Sequence, residues 1–144
     1  MKTTTKEAAI ELDTIVTIPD IAVMYVAGDA GRPVPEQAQA AFPALEATLP
    51  TLKSRKFYGV GVGAEYRACV AIDERDDLQA LPHARWTIPG GRYARRRIAD
   101  RERNTDRIKP TFDALRARPD FDPSRPWIEF YRSRSELLVL VPVR

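Results

Sequence analysis

The chain has 144 residues, 44% of them hydrophobic and 30% charged, which suits one globular domain with a real core and leaves little room for a second. Its formal net charge is +3, from 23 Lys/Arg against 20 Asp/Glu; residues 1–70 hold 7 against 8, so residues 71–144 hold 16 against 12, and the positive excess belongs to the second half. No apolar run approaches the roughly 18 residues of a membrane span, and the N-terminal MKTTTKEAAIELD lacks the apolar segment of a signal peptide, so a cytoplasmic protein off the membrane is expected.

The first predicted element is the β-rich stretch IVTIPDIAVMYVAG from Ile15. In PEQAQAAFPALEATLPTLKSR, from Pro35, Ala38, Phe42, Leu45, Leu49 and Leu52 share one helical face. KFYGVGV and EYRACVAI then read as a hairpin, and DERDDLQALPHA, residues 73–84, as a connector. Beyond it come the β-rich RWTIPGGRYARRRIA, a helix with Ile108, Phe112 and Leu115 in a stripe, and the strands PWIEFY and ELLVLVPV. Pro43 and Pro110 fall inside the predicted helices, where an interior proline costs about 3 kcal/mol unless it lies in the first turn or at a kink, so the helix ends are not fixed by pattern alone.

One offset links the two halves. Thr17-Ile18-Pro19 recurs seventy residues on as Thr87-Ile88-Pro89, and Phe42, Ala44 and Leu45 recur as Phe112, Ala114 and Leu115. The same offset aligns FYGVG with WIEFY and YRACVAI with ELLVLVP. The expected fold is α+β: one domain over residues 1–144, with duplicated strand-helix-strand-strand units at about 14–72 and 85–144. Its antiparallel sheet would carry two helices on one face and a ligand groove on the other.

In WIEFY, alternation puts Trp127, Glu129 and Tyr131 on one face and Ile128 and Phe130 on the other. With Ile128 and Phe130 toward the helices, Glu129 stands on the open side, opposite Gly59 of the sister strand, with Phe57 and Gly61 beside it. Large residues facing small ones would leave a hollow with a carboxylate in its wall. The bland alternative for Glu129 is an ion pair with Arg95, Arg96, Arg97 or Arg132. The alternative for Gly59 and Gly61 is a bulge or a twisted edge, the commoner meaning of strand glycine.

TIPGGRYA opening the second half, RPWIEFY with its Glu-x-Tyr, and the closing LLVLVPVR together resemble the GyrI-like small-molecule-binding domain, the effector-binding domain of AraC-type and multidrug-responsive regulators. KFYGVGV is similar more weakly. The resemblance runs from about Thr14 to the C-terminus and implies a stand-alone domain whose halves enclose a ligand groove. It implies that Glu129 is a pocket carboxylate that meets lipophilic cations among aromatic rings. Tyr131, which could orient the carboxylate or donate a proton, is the first companion; Trp127, Phe57, Tyr25, Tyr66 and Tyr93 are the other candidates, each with ordinary packing as its alternative. Some stand-alone relatives are implied to hydrolyse strained electrophiles such as cyclopropanoid genotoxins, which would make Glu129 and Tyr131 catalytic. Others sequester toxins or protect gyrase.

The chain departs from the family pattern at Arg95-Arg96-Arg97, where apolar residues are usual; one guanidinium could reach the groove, pair with Glu129 or attract an anion. A gyrase or other partner could also engage this strand. RSRSE after Tyr131 is short beside the family's longer acidic loop, and no helix-turn-helix precedes the domain, so direct DNA binding is not expected. Cys69 reads as a buried core thiol, and His83, without a second His or Cys, as no zinc ligand. The expected ligand is a small molecule, with no cofactor and no metal, bound by a monomer or homodimer.

Overall fold

The computed structural model describes residues 13–144. The first twelve, on which the signal-segment expectation rests, lie outside the described residues. Eight strands, β1 (Thr14–Ile18), β2 (Ile21–Ala27), β3 (Phe57–Val62), β4 (Glu65–Ala71), β5 (Ala84–Ile88), β6 (Gly91–Ala99), β7 (Trp127–Tyr131) and β8 (Glu136–Pro142), form one sheet. Helix α1 (Val34–Glu46) lies between β2 and β3, and helix α2 (Ile108–Arg116) between β6 and β7. Every pairing is antiparallel, in the order β1-β6-β8-β7-β3-β4-β2-β5.

Each β-rich segment expected as one strand is two. Pro19-Asp20 divides β1 from β2, and Pro89-Gly90 divides β5 from β6, because proline carries no amide for a ladder. This break curls the sheet. β1 and β2 stand six strand spacings apart in the order, about 29 Å in a flat sheet, yet three Cα steps from Ile18 to Ile21 reach about 11 Å at most. The two edges must therefore bend toward each other. The connectors meet there: the Gly90 amide donates to Asp20 Oδ1 at 2.7 Å, and a Cβ on Gly90 would lie 2.5 Å from the Ile18 carbonyl oxygen.

Helix α1 is shorter than its apolar stripe suggests. It ends at Glu46, and Leu52 is left exposed, since Pro50 disfavours helical backbone in the residue before it. Pro43 sits inside α1 and removes the amide that the Gln39 carbonyl would otherwise accept. Pro110 is the third residue of α2, in the first turn, where no intrahelical partner is lost. The stripe of α2 is as expected, with Phe112 and Leu115 buried and Ile108 packed beside them.

The faces are set by register, because cross-strand partners share a face. Ala68, Gly59, Glu129, Val139 and Arg96 form one line across β4, β3, β7, β8 and β6. Ala68 packs with Ala41 and Leu45 of α1, and Val139 with Phe112 and Leu115 of α2. Both helices therefore cover the Glu129 face, and the expectation that Ile128 and Phe130 face the helices is reversed. Those two join Tyr58, Val60, Cys69, Leu138 and Leu140 in a second core inside the curl. Period two distinguishes two faces but does not say which one helices cover, and here the curl buries the other one as well. Cys69 is the buried thiol expected; desolvation, opposed by Arg67, pushes it up to about 12. Among the described residues no helix is long and apolar enough to cross a membrane.

Candidate functional site

Glu129 sits at the middle of β7, paired with Gly59 on one side and Val139 on the other, and is only 6% exposed. The sequence sets Glu129 against Gly59, and the register does the same. The expected hollow between them is filled. A Cβ on Gly59 would lie 1.8 Å from the Tyr66 hydroxyl oxygen and 2.5 Å from Glu129 Oε1, and one on Gly61 would lie 1.9 Å from Cε2 of Trp127. The two glycines thus admit a phenol and an indole, which is why neither position tolerates a side chain.

Two phenols address the carboxylate. Tyr66 Oη donates to Glu129 Oε1 at 2.7 Å and Tyr131 Oη donates to the same oxygen at 3.0 Å, while the two hydroxyls stand 3.3 Å apart. Among the described residues no guanidinium or ammonium pairs with Glu129. Burial pushes the Glu129 carboxyl above its ordinary range, and the two phenol hydrogen bonds pull it partly back. Burial also raises both tyrosines, with the Glu129 charge adding to the effect. The arrangement keeps a carboxylate, or its neutral acid, in a poorly solvated place beside aromatic surfaces.

Tyr66 is held from behind. The buried Gln37 of α1 accepts the Tyr66 amide on Oε1 at 2.8 Å, and its Nε2 donates to the Arg32 and Ala64 carbonyls. Phe42 of α1 meets Tyr66 and Tyr131 edge-on, with centroids 6.1 and 5.3 Å apart. Trp127 lies between Tyr66, at 6.0 Å, and Phe112 of α2, at 4.8 Å.

A cavity of about 390 Å³ opens beside this group, lined by Ala38, Gln39, Phe42 and Glu46 of α1, Phe57, Tyr131 and Arg101. Glu129 lies behind Tyr131, outside the lining. The Arg101 guanidinium stands 5.1 Å from the Tyr131 ring centroid, so the chain places a cation of its own on the ring at the mouth.

Of the candidates, Glu129, Tyr131, Tyr66, Trp127 and Phe57 fall on this face. Tyr25 and Tyr93 do not: Tyr25 packs on Trp86 and under Arg67, and the Tyr93 hydroxyl donates to the Pro89 carbonyl at 2.6 Å. The arginine strand does not supply the pairing considered for Glu129. Arg96 pairs with Asp13, Arg97 and Arg132 pair with Glu136, and Arg95 points to the opposite face. Sequence pattern missed Gln37, Glu46 and Arg101, and took Phe42 only for core. A polar Gln on the apolar stripe one turn before Ala41 is the one signal that could have marked Gln37. His83 shares a hydrogen bond with Thr48.

No protein-family model matches the chain, and comparison with curated proteins finds no match either. Among solved structures, the fold is similar to an integron cassette protein from the mobile metagenome of Vibrio cholerae, with TM-score 0.69 and 15% identity over 92% of this chain and 95% of that one. It is also similar to SAV2435 in its complex with tetraphenylphosphonium, with TM-score 0.62 and 9% identity over 92% and 93% of the two chains. At these identities the likeness is one of fold.

Proposed function

We propose that the chain is a GyrI-like domain that binds lipophilic aromatic cations in the cavity beside α1, in toxin or drug sequestration or sensing. The observation that carries this reading is Glu129, a buried carboxylate held by two phenols and given no cationic partner among the described residues. A negative charge in poorly solvated surroundings, hydrogen-bonded to a tyrosine that lines the cavity, favours a cation that is itself weakly hydrated. Phe42, Phe57 and Tyr131 offer ring surface to such a cation, and Glu46 adds a carboxylate at the rim. The tetraphenylphosphonium complex of SAV2435 supports the ligand class at the level of fold.

The reading extends to duplication. Exchanging β1–β4 with β5–β8 and reversing the order leaves the strand sequence β1-β6-β8-β7-β3-β4-β2-β5 unchanged, and Gly59↔Glu129 lies at the centre of the β3–β7 pairing. Both support a pseudo-twofold through the site, with one half giving the carboxylate and the other giving Tyr66 and the glycine that admits it.

Calorimetric titration with tetraphenylphosphonium tests the assignment. Glu129→Gln is expected to weaken binding by about tenfold, the scale of one charged partner, with the fold intact by circular dichroism. Unchanged affinity would remove Glu129 from the site. A second reading rests on Tyr131, which lines the cavity and donates to the buried Glu129 at 3.0 Å: a phenol so placed suits passing a proton to a strained ring, with the Glu129 carboxyl behind it. Incubation with a cyclopropane electrophile and mass spectrometry for a water-added product separates hydrolysis from binding.

A further inference from the structure

We propose a second ligand site on the sheet face away from the helices, for a single-chain amphiphile with an anionic head group. A trough of about 660 Å³ lies there, within the size range of small-molecule pockets. Its floor is Tyr58 of β3, Ile128 and Phe130 of β7, and Leu138 and Leu140 of β8, and its roof is the β1–β2 segment with Ile18 and Ile21. Tyr58 and Phe130 stack at 4.8 Å with an interplanar angle of 18°, giving a flat apolar wall. Nothing in this lining overlaps the Glu129 cavity.

Charge sets the ligand class. The trough is flanked by Arg95 of β6 and Lys56, the residue before β3. Among the described residues neither has an acidic partner, whereas neighbouring Arg96 is paired with Asp13 and Arg97 with Glu136. The one acid in the lining, Asp20, already accepts the Gly90 amide. An apolar floor between two cations without acidic partners among the described residues fits an alkyl chain that ends in a carboxylate or sulfate. It fits a second copy of the chain poorly, since two such faces would bring like charges together.

The β5 side of the curl is closed by comparison. There the Arg67 guanidinium lies between the rings of Tyr25, at 4.4 Å, and Trp86, at 4.6 Å, and pairs with Glu65. On the β1 side Val16 and Leu138 line the open space, with Arg95 at its edge.

Calorimetry with dodecanoate below its micelle concentration is expected to give one site per chain. Arg95→Gln should weaken it roughly tenfold and Lys56→Gln about threefold, while tetraphenylphosphonium affinity stays within about twofold in both variants. Dodecyltrimethylammonium, with the same chain and the opposite charge, should bind the unmodified protein at least about tenfold more weakly. Saturating tetraphenylphosphonium should leave the dodecanoate affinity unchanged. Absence of dodecanoate binding, equal affinity for the two head groups, or competition with tetraphenylphosphonium would overturn the proposal. The head-group comparison needs no variant, so a folding defect in either substitution does not blunt the test.

Discussion

Gly59→Ala tests the site most directly, because the strand register and the Glu129 triad both depend on that position. The new methyl would sit 1.8 Å from the Tyr66 hydroxyl oxygen, and ordinary van der Waals contact begins near 3.4 Å, so one of the two must move by roughly 1.6 Å. Tyr66 is fully buried and wedged between Phe42 and Trp127, and Gln37 fixes its backbone. Overpacking of this kind costs about 1–3 kcal/mol. If the phenol yields, its charged hydrogen bond adds about 1.5–3 kcal/mol. The expected loss is therefore about 2.5–6 kcal/mol if the phenol yields, a large fraction of a typical domain's roughly 5–15 kcal/mol. Urea unfolding followed by Trp86 and Trp127 fluorescence measures it. Gly59→Ala/Tyr66→Phe should lose less than the sum of the single variants, because the closest clashing atom is gone. A loss below about 0.5 kcal/mol for Gly59→Ala would refute the reasoning and restore the hollow that the sequence suggested.

Three other outcomes follow from the same geometry. Because the folded-state Glu129 carboxyl is raised above its ordinary 4.5, the native state holds a proton that the unfolded chain has released. Stability should therefore fall as pH rises from about 4.5 through the folded-state value and then level off, and urea unfolding of Glu129→Gln across this range should lack that step. Gln37→Leu leaves the Tyr66 amide and the Arg32 and Ala64 carbonyls without their partner, and should cost about 2–4 kcal/mol together with weaker tetraphenylphosphonium binding; equal stability of variant and parent would show that Gln37 does not position Tyr66. Arg101→Ala removes the cation standing over Tyr131 and should tighten tetraphenylphosphonium binding about three- to tenfold, with the opposite result if Arg101 serves as a packing wall.

The local chemistry of the chain was legible from its residues. Period-two runs gave the strands, the Ile108, Phe112 and Leu115 stripe gave α2, and the seventy-residue offset set Glu129 against Gly59, the pair found in the β3–β7 register. These follow from repeats of two, three or four residues and from one constant spacing, all of which are written along the chain. The division of each TIP segment into two strands was also present, in Pro19 and Pro89, but it takes meaning only when the halves are assigned to opposite edges of a curled sheet. Which face the helices cover, which two of the five tyrosines reach Glu129, and where the arginines of β6 point were decided by tertiary structure. The Tyr66–Glu129 hydrogen bond joins residues 63 positions apart, and Tyr25 is excluded from it by lying three strands away and on the other face of the sheet. Alternation says that two side chains are on opposite faces; burial of one face by helices and of the other by curvature is a property of the whole chain, and no window of sequence contains it.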